Sequence, residues 1–221
     1  MASLLSTLIG CFQKKEKTND LPTWLETHFP GELVVVNNIV NLDPMNLFIK
    51  EKNTILADKS DPEVQIKIKW FKKEEGLGLN VEEVRTSLDN ARKDVKAARM
   101  IFDALQKNGL EKFSVGAIEM AAYILIYDEP TSELRKSNLI KILTAIDGLP
   151  DHTQTSIWIE WMEPSAYQEE FKDIIPYGYW QRGDSYHDSK KIMGLDFEWS
   201  PGLKADILNA GWAISIKSER S

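Results

Sequence analysis

Carboxylates and aromatic rings crowd the C-terminal third of this chain. Trp158, Trp161, Trp180, Trp199 and Trp212 fall there, five of the seven tryptophans, together with Tyr167, Tyr177, Tyr179 and Tyr186. Glu160, Glu163, Glu169, Glu170, Asp173, Asp184, Asp188, Asp196 and Glu198 are interleaved with them. Rings beside acids suit two kinds of chemistry. An aromatic face stacks on a sugar while two carboxyl groups, about 5 to 9 Å apart, serve as proton donor and as nucleophile or base. Exposed Tyr and Trp, apolar in body and polar at the tip, also anchor protein–protein contacts. The second chemistry selects Tyr177, Tyr179 and Trp180, because a ring-rich loop broken by Pro176 and Gly178 cannot be wholly interior. Glu160 and Glu163 are its acidic neighbours. The first selects Glu160, Glu163, Asp196 and Glu198. A third assignment makes Trp161, Trp199 and Trp212 core and the acids a solvated edge.

Other chemistries lack their residues. The only histidines are His28, His152 and His187, and no Gly-x-Ser-x-Gly elbow is present to hold a nucleophile. Two histidines one helical turn apart with a Glu between them, as zinc hydrolases need, do not occur, and His187-Asp188 alone reads as a loop hydrogen bond. Gly76-Leu77-Gly78 lacks the third glycine and the Lys-Ser/Thr ending of a phosphate cradle and reads as a hairpin-like loop. Arg182-Gly183-Asp184 matches an adhesion tripeptide, a match too short to carry weight. The sequence therefore assigns no catalytic residue, no metal ligand and no cofactor. The expected function is non-catalytic binding of another protein, in the manner of a bacterial immunity or accessory protein. The alternative is a carbohydrate-binding or glycoside-hydrolysing protein.

Charge narrows the partner. The formal net charge is −7 and no long basic stripe interleaves with aromatics, so nucleic acid is excluded as an expected partner. A basic protein suits the acidic balance. One cysteine, Cys11, rules out an intramolecular disulfide and a cysteine zinc site and fits a reducing, cytoplasmic compartment. The longest apolar run, Ala121 to Tyr127, is far below the roughly 20 residues of a membrane-spanning helix.

The elements that must position these residues follow from periodicity. Leu33 to Val36 is continuous and β-branched, as a buried strand is. Val64 to Phe71 alternates, with Val64, Ile66, Ile68 and Trp70 on one face. Asn80 and Glu83 open a long helix whose apolar stripe runs Val84, Leu88, Ala91, Val95, Ala98, Phe102 and Leu105 and ends at Asn108-Gly109. Ser114 to Tyr127 fits a buried strand or a buried helix, with Ala and Met content leaning helical. A helix after Pro130 turns Leu139, Ile142, Leu143 and Ile146 inward and stops at Gly148. Strands follow at Ser156–Met162, Met193–Trp199 and Gly211–Lys217. The expected class is α+β: a mainly antiparallel sheet of about five strands with two or three helices on one face.

Residues 1–20 read as an apolar appendage and Lys-rich linker, and 21–221 as a single domain. Leu8-Ile9-Gly10-Cys11 resembles the lipobox of bacterial lipoproteins, which implies lipidation of Cys11 and a membrane-anchored location. Only ten residues precede Cys11 and none is Lys or Arg, so the signal reading requires a truncated leader. The alternatives are a docking segment and a weak surface anchor followed by Lys14, Lys15 and Lys17. The lipobox reading predicts an acylated Cys11 as the mature first residue. Mass spectrometry that finds an unprocessed Met1 region removes it.

Overall fold

The computed structural model describes residues 20–39, 52–73, 76–118, 121–128, 131–150, 156–166, 174–175 and 191–198. Within them the order is α1 (Leu21–His28), β1 (Leu33–Ile39), β2 (Lys52–Asp58), β3 (Gln65–Trp70), β4 (Lys72–Lys73), β5 (Gly76–Leu77), α2 (Val81–Lys107), β6 (Phe113–Ile118), β7 (Ala121–Ile126), α3 (Ser132–Asp147), β8 (Ser156–Met162) and β9 (Lys191–Glu198). One sheet is β1-β2-β3, a second is β6-β7-β8-β9, and β4-β5 is a small ribbon. All strand pairs are antiparallel except β7 and β8. Those two run parallel because α3 carries the chain back between them, the connection that parallel neighbours require.

Helix α2 joins the two principal sheets. The Asn80 side chain caps it by accepting from the Glu82 N–H at 2.9 Å, and Asn80 Nδ2 donates to Glu83 Oε1 at 3.3 Å. Its far end stops at Gly109, whose φ of 75° lies in the left-handed region glycine tolerates. At 27 residues it is about 40 Å long. The first half buries Val84, Leu88, Ala91 and Val95 among Leu56, Ile66 and Ile68 of the three-stranded sheet and Trp24, Leu25 and Phe29 of the α1 region. The second half buries Ala98, Ile101 and Leu105 among Val115, Ile124, Ile126, Ile157 and Ile159 of the four-stranded sheet and Ile142 and Leu143 of α3. Ile101, three residues past Ala98 and four before Leu105, holds the inward position expected of Phe102. Phe102 flanks the stripe, half-buried, and stacks on Phe113 with ring centroids 4.8 Å apart.

The α+β class, the three helices and the mainly antiparallel pairing match the sequence expectation. Among the described residues the strands number nine rather than about five, and they divide between two principal sheets and a two-stranded ribbon rather than forming one. Ser114–Tyr127 is not a helix but most of the β6-β7 hairpin. Ser114, Gly116 and Leu125 are buried on the face away from the helices, so much of the hairpin carries no polar alternation to betray it, and Ala117 and Ala122 pair directly beneath the helices. The strand at Leu33 exists but is only partly buried, with Leu33 in the core and Val35 packed against it. It is an edge strand with Val34 44% and Val36 46% exposed, and its register slips between Val35 and Asn37. Strand β2 escaped the sequence reading altogether. Every residue from Asn53 to Asp58 is buried, and Asn53, Thr54 and Asp58 interrupt the apolar pattern. Thr54 is present to accept the Trp70 indole N–H at 2.9 Å. The strand expected at Gly211–Lys217 and the appendage with Cys11 lie outside the described residues.

An ion-pair seam clamps α2 to the β2-β3 turn. Arg92 Nη2 lies 2.7 Å from the buried carboxylate of Asp58 and 3.6 Å from Glu32. About two turns on, Arg99 grips Asp61 at 2.6 Å and also Glu63. Burial pushes the Asp58 carboxyl upward, but hydrogen bonds from the Ser60 hydroxyl and N–H and from Arg92 outweigh it and leave its pKa below the ordinary value. Hydrogen bonds from Arg99 lower Asp61 likewise. Both carboxyls are thus harder to protonate folded than unfolded, so their contribution is complete above the unfolded Asp pKa of about 4 and disappears as pH falls through the lower folded values. Chemical denaturation from pH 7 to pH 2 is expected to show this loss beginning below about pH 4. Arg92→Ala, which leaves Asp58 only its Ser60 hydrogen bonds, is expected to cost about 1.5–3 kcal/mol at pH 7 and to weaken the acid dependence in part. A second test addresses the helix: Ile101→Ala is expected to lower unfolding free energy by about 2–5 kcal/mol, measured in the same experiment.

Candidate functional site

The four-stranded sheet has two unlike faces. Phe113, Val115, Ala117, Ala122, Ile124, Ile126, Ile157, Ile159 and Trp161 alternate toward α2 and α3. The residues between them point the other way. At one end of this outer face Leu125, Tyr127 and Met162 pack with Ala166 and Ile175. At the other end the apolar cover stops. Tyr123 of β7 and Trp158 of β8 sit in register and their rings stack, with centroids 5.8 Å apart and planes 20° from parallel. Trp158 is 39% exposed. Across the next strand Asp196 pairs with Trp158 and Glu198 with Ser156, both acids exposed. The outer face therefore carries a row running from ring to ring to carboxylate.

Glu160 lies two residues further along β8 and faces the same way, as the strand alternation implies. It is only 8% exposed, and Lys191 Nζ donates to its Oε1 at 2.7 Å. The partner opposite Glu160 is Gly194, and a Cβ there would approach Lys191 Cε to 3.0 Å and Nζ to 3.1 Å. The lysine thus reaches its acid through the room that glycine leaves. The register shift at Trp161/Met162 brings Lys191 opposite Met162, the outer-face residue next after Glu160. Glu163 follows the end of β8, half-exposed, and accepts from the Ser165 hydroxyl at 3.4 Å.

Of the residues selected from sequence, Glu160 is thus brought beside Trp158 and held by a lysine, while Glu163 sits past the strand. Asp196 and Glu198 share the outer face with Trp158, and Trp161 is core. Tyr177, Tyr179 and Trp180 lie outside the described residues. The chain is fixed just before them: the Ile175 N–H donates to the Val115 carbonyl at 2.8 Å, and Ile174 bridges Val115. Two members of the outer face were missed. Tyr123 lay in the segment left between helix and strand, so its face was undefined. Lys191 lay ahead of the strand read from Met193. Cross-strand pairing alone reveals both. Among the described residues no group of three or more His, Cys, Asp or Glu side chains is placed to hold a metal ion, and no helix is long and apolar enough to cross a membrane.

No protein-family model matches the chain, and no curated protein matches it. A solved structure of a DUF5037 family protein from Ruminococcus gnavus is similar in fold, at 12% identity over 80% of this chain and 87% of that one, with a TM-score of 0.45.

The geometry of the Glu160 pair generates a prediction. Lys191→Met removes a charge-assisted hydrogen bond to a buried carboxylate and is expected to cost about 1.5–3 kcal/mol. Glu160→Gln in the same chain should recover part of that loss. Urea denaturation of the two singles and the double gives the coupling, and strictly additive losses would contradict the pairing.

Proposed function

We propose that this protein is a non-catalytic binding module that engages a partner protein through the outer face of its four-stranded sheet. The observation that carries the reading is the exposed Trp158, stacked on Tyr123 and set opposite Asp196. A large rigid ring held open to solvent on a strand loses little freedom on binding, which is the character of an interface anchor. The hydrogen bond from Lys191 and the burial of its carboxyl support a positioning role for Glu160. In this reading Tyr177, Tyr179 and Trp180, with Glu163, extend the surface beyond Ile175. The domain from residue 21 to 221 binds in the cytoplasm, and the first 20 residues serve localisation.

A second reading rests on the same rings. The nearly parallel rings of Tyr123 and Trp158 beside Asp196 also suit a sugar platform. Titration with soluble oligosaccharides, followed by tryptophan fluorescence, separates the two. Saturable quenching that vanishes in Trp158→Ala favours the sugar.

The protein-binding reading predicts that Trp158→Ala leaves the protein folded, at a cost of about 0.5–1.5 kcal/mol for the lost ring stack, while weakening capture of the cognate partner. The Tyr179→Ala/Trp180→Ala double variant should do the same. A double variant that unfolds instead would assign those two rings to the core.

A further inference from the structure

Three other aromatic rings of this protein carry a cation of its own. Lys52 Nζ stands 4.8 Å from the Trp70 ring centroid, the Arg85 guanidinium 4.8 Å from that of Phe29, and Lys73 Nζ 4.8 Å from that of Phe71. Trp158 is far more exposed than Trp70 or Phe29, yet among the described residues no cation lies over it. The neighbouring lysine, Lys191, is committed to Glu160. The exposed acids next to the ring, Asp196 and Glu198, are in no ion pair among the described residues, and they stand on the strand adjacent to β8. Adjacent strands lie about 4.8 Å apart. A flat cation stacked over the indole can therefore reach a carboxylate one strand away, and a guanidinium has both the plane to stack and the N–H fork to donate.

From this juxtaposition we infer that the outer face of the four-stranded sheet takes an arginine side chain of its partner, seated on Trp158 and hydrogen-bonded by Asp196, with Glu198 adding charge at the rim. The inference rests on the protein-binding reading above and names that partner's chemistry: an exposed, arginine-bearing segment. Charge complementarity supports it on two scales. Locally the ring's negative face and two acids meet the guanidinium. Globally a chain of net charge −7 draws a basic partner toward itself. Trp158 and Asp196 are binding residues in this scheme, and Tyr123 is a positioning residue that holds the indole by stacking.

The test pans a random linear peptide library against the full chain and, in parallel, against Trp158→Ala, with circular dichroism showing that both are folded. The expected result is a set of Trp158-dependent peptides enriched in arginine. Synthetic versions should weaken at least about fivefold when arginine is replaced by the neutral isostere citrulline. They should weaken comparably on the Asp196→Asn/Glu198→Gln double variant, and further at 0.5 M salt. Trp158-dependent peptides with an apolar or acidic consensus would overturn the arginine site while leaving the face as a protein-binding surface. Peptides indifferent to Trp158→Ala, or none at all, would overturn both. Arginine peptides bound equally well by the double variant would remove Asp196 and Glu198 from the site.

Discussion

The burial of one continuous helical stripe in two separate apolar clusters is the constraint on which the rest depends. Neither principal sheet has a cover of its own large enough to dry its inner face. The three-stranded sheet has the short α1 and its Phe29 corner, and the four-stranded sheet has α3. Each is completed by a different half of α2. A side chain lost from Leu88 or Leu105 therefore opens only one cluster directly, but the helix that carries it is shared. The two sheets share about 40 Å of α-helix, one half of it buried against each. The Arg92 and Arg99 pairs fix the rotation of that helix over the β2-β3 turn, where a slip of one residue would turn the stripe away from the sheet.

The candidate site depends on this arrangement because the inner face of the four-stranded sheet is fully occupied. Whatever the sheet offers to a partner must come from the other side. There, Leu125, Tyr127 and Met162 are covered by Ala166 and Ile175, which leaves the Tyr123–Trp158 end open. The Glu160–Lys191 pair stands at the boundary between the covered and the open part. It spaces a buried acid from the exposed ones, so the negative charge available to a ligand lies on Asp196 and Glu198.

How much of this was legible in the sequence depended on how many faces of each element are wet. Amphipathic elements announced themselves: α3, β3 and β8 bury the inward residues that the periodicity requires, as α2 does except that Ile101 stands where Phe102 was expected. Elements dry on both sides did not. The β6-β7 hairpin and β2 lack the alternation that distinguishes strand from helix, and β2 also carries polar residues whose partners, Trp70 and Arg92, come from elsewhere in the chain. Leu33–Val36 erred in the opposite sense, since three valines are as compatible with an exposed edge as with a core. At the site, one strand's alternation sufficed to put Glu160 beside Trp158. Finding Tyr123 and Lys191 required cross-strand register, which a single sequence does not encode locally.

The slip in register at Val36 has a bearing on how the protein coexists with other copies of itself. An edge strand presenting exposed valines invites a second edge to hydrogen-bond alongside it and propagate. Here the extra residue breaks the spacing of the outward N–H and C=O groups partway along β1. An incoming strand that matches Leu33 to Val35 falls out of step beyond it. Among the described residues, then, the irregularity interrupts the template that an apolar edge would otherwise offer to a second copy.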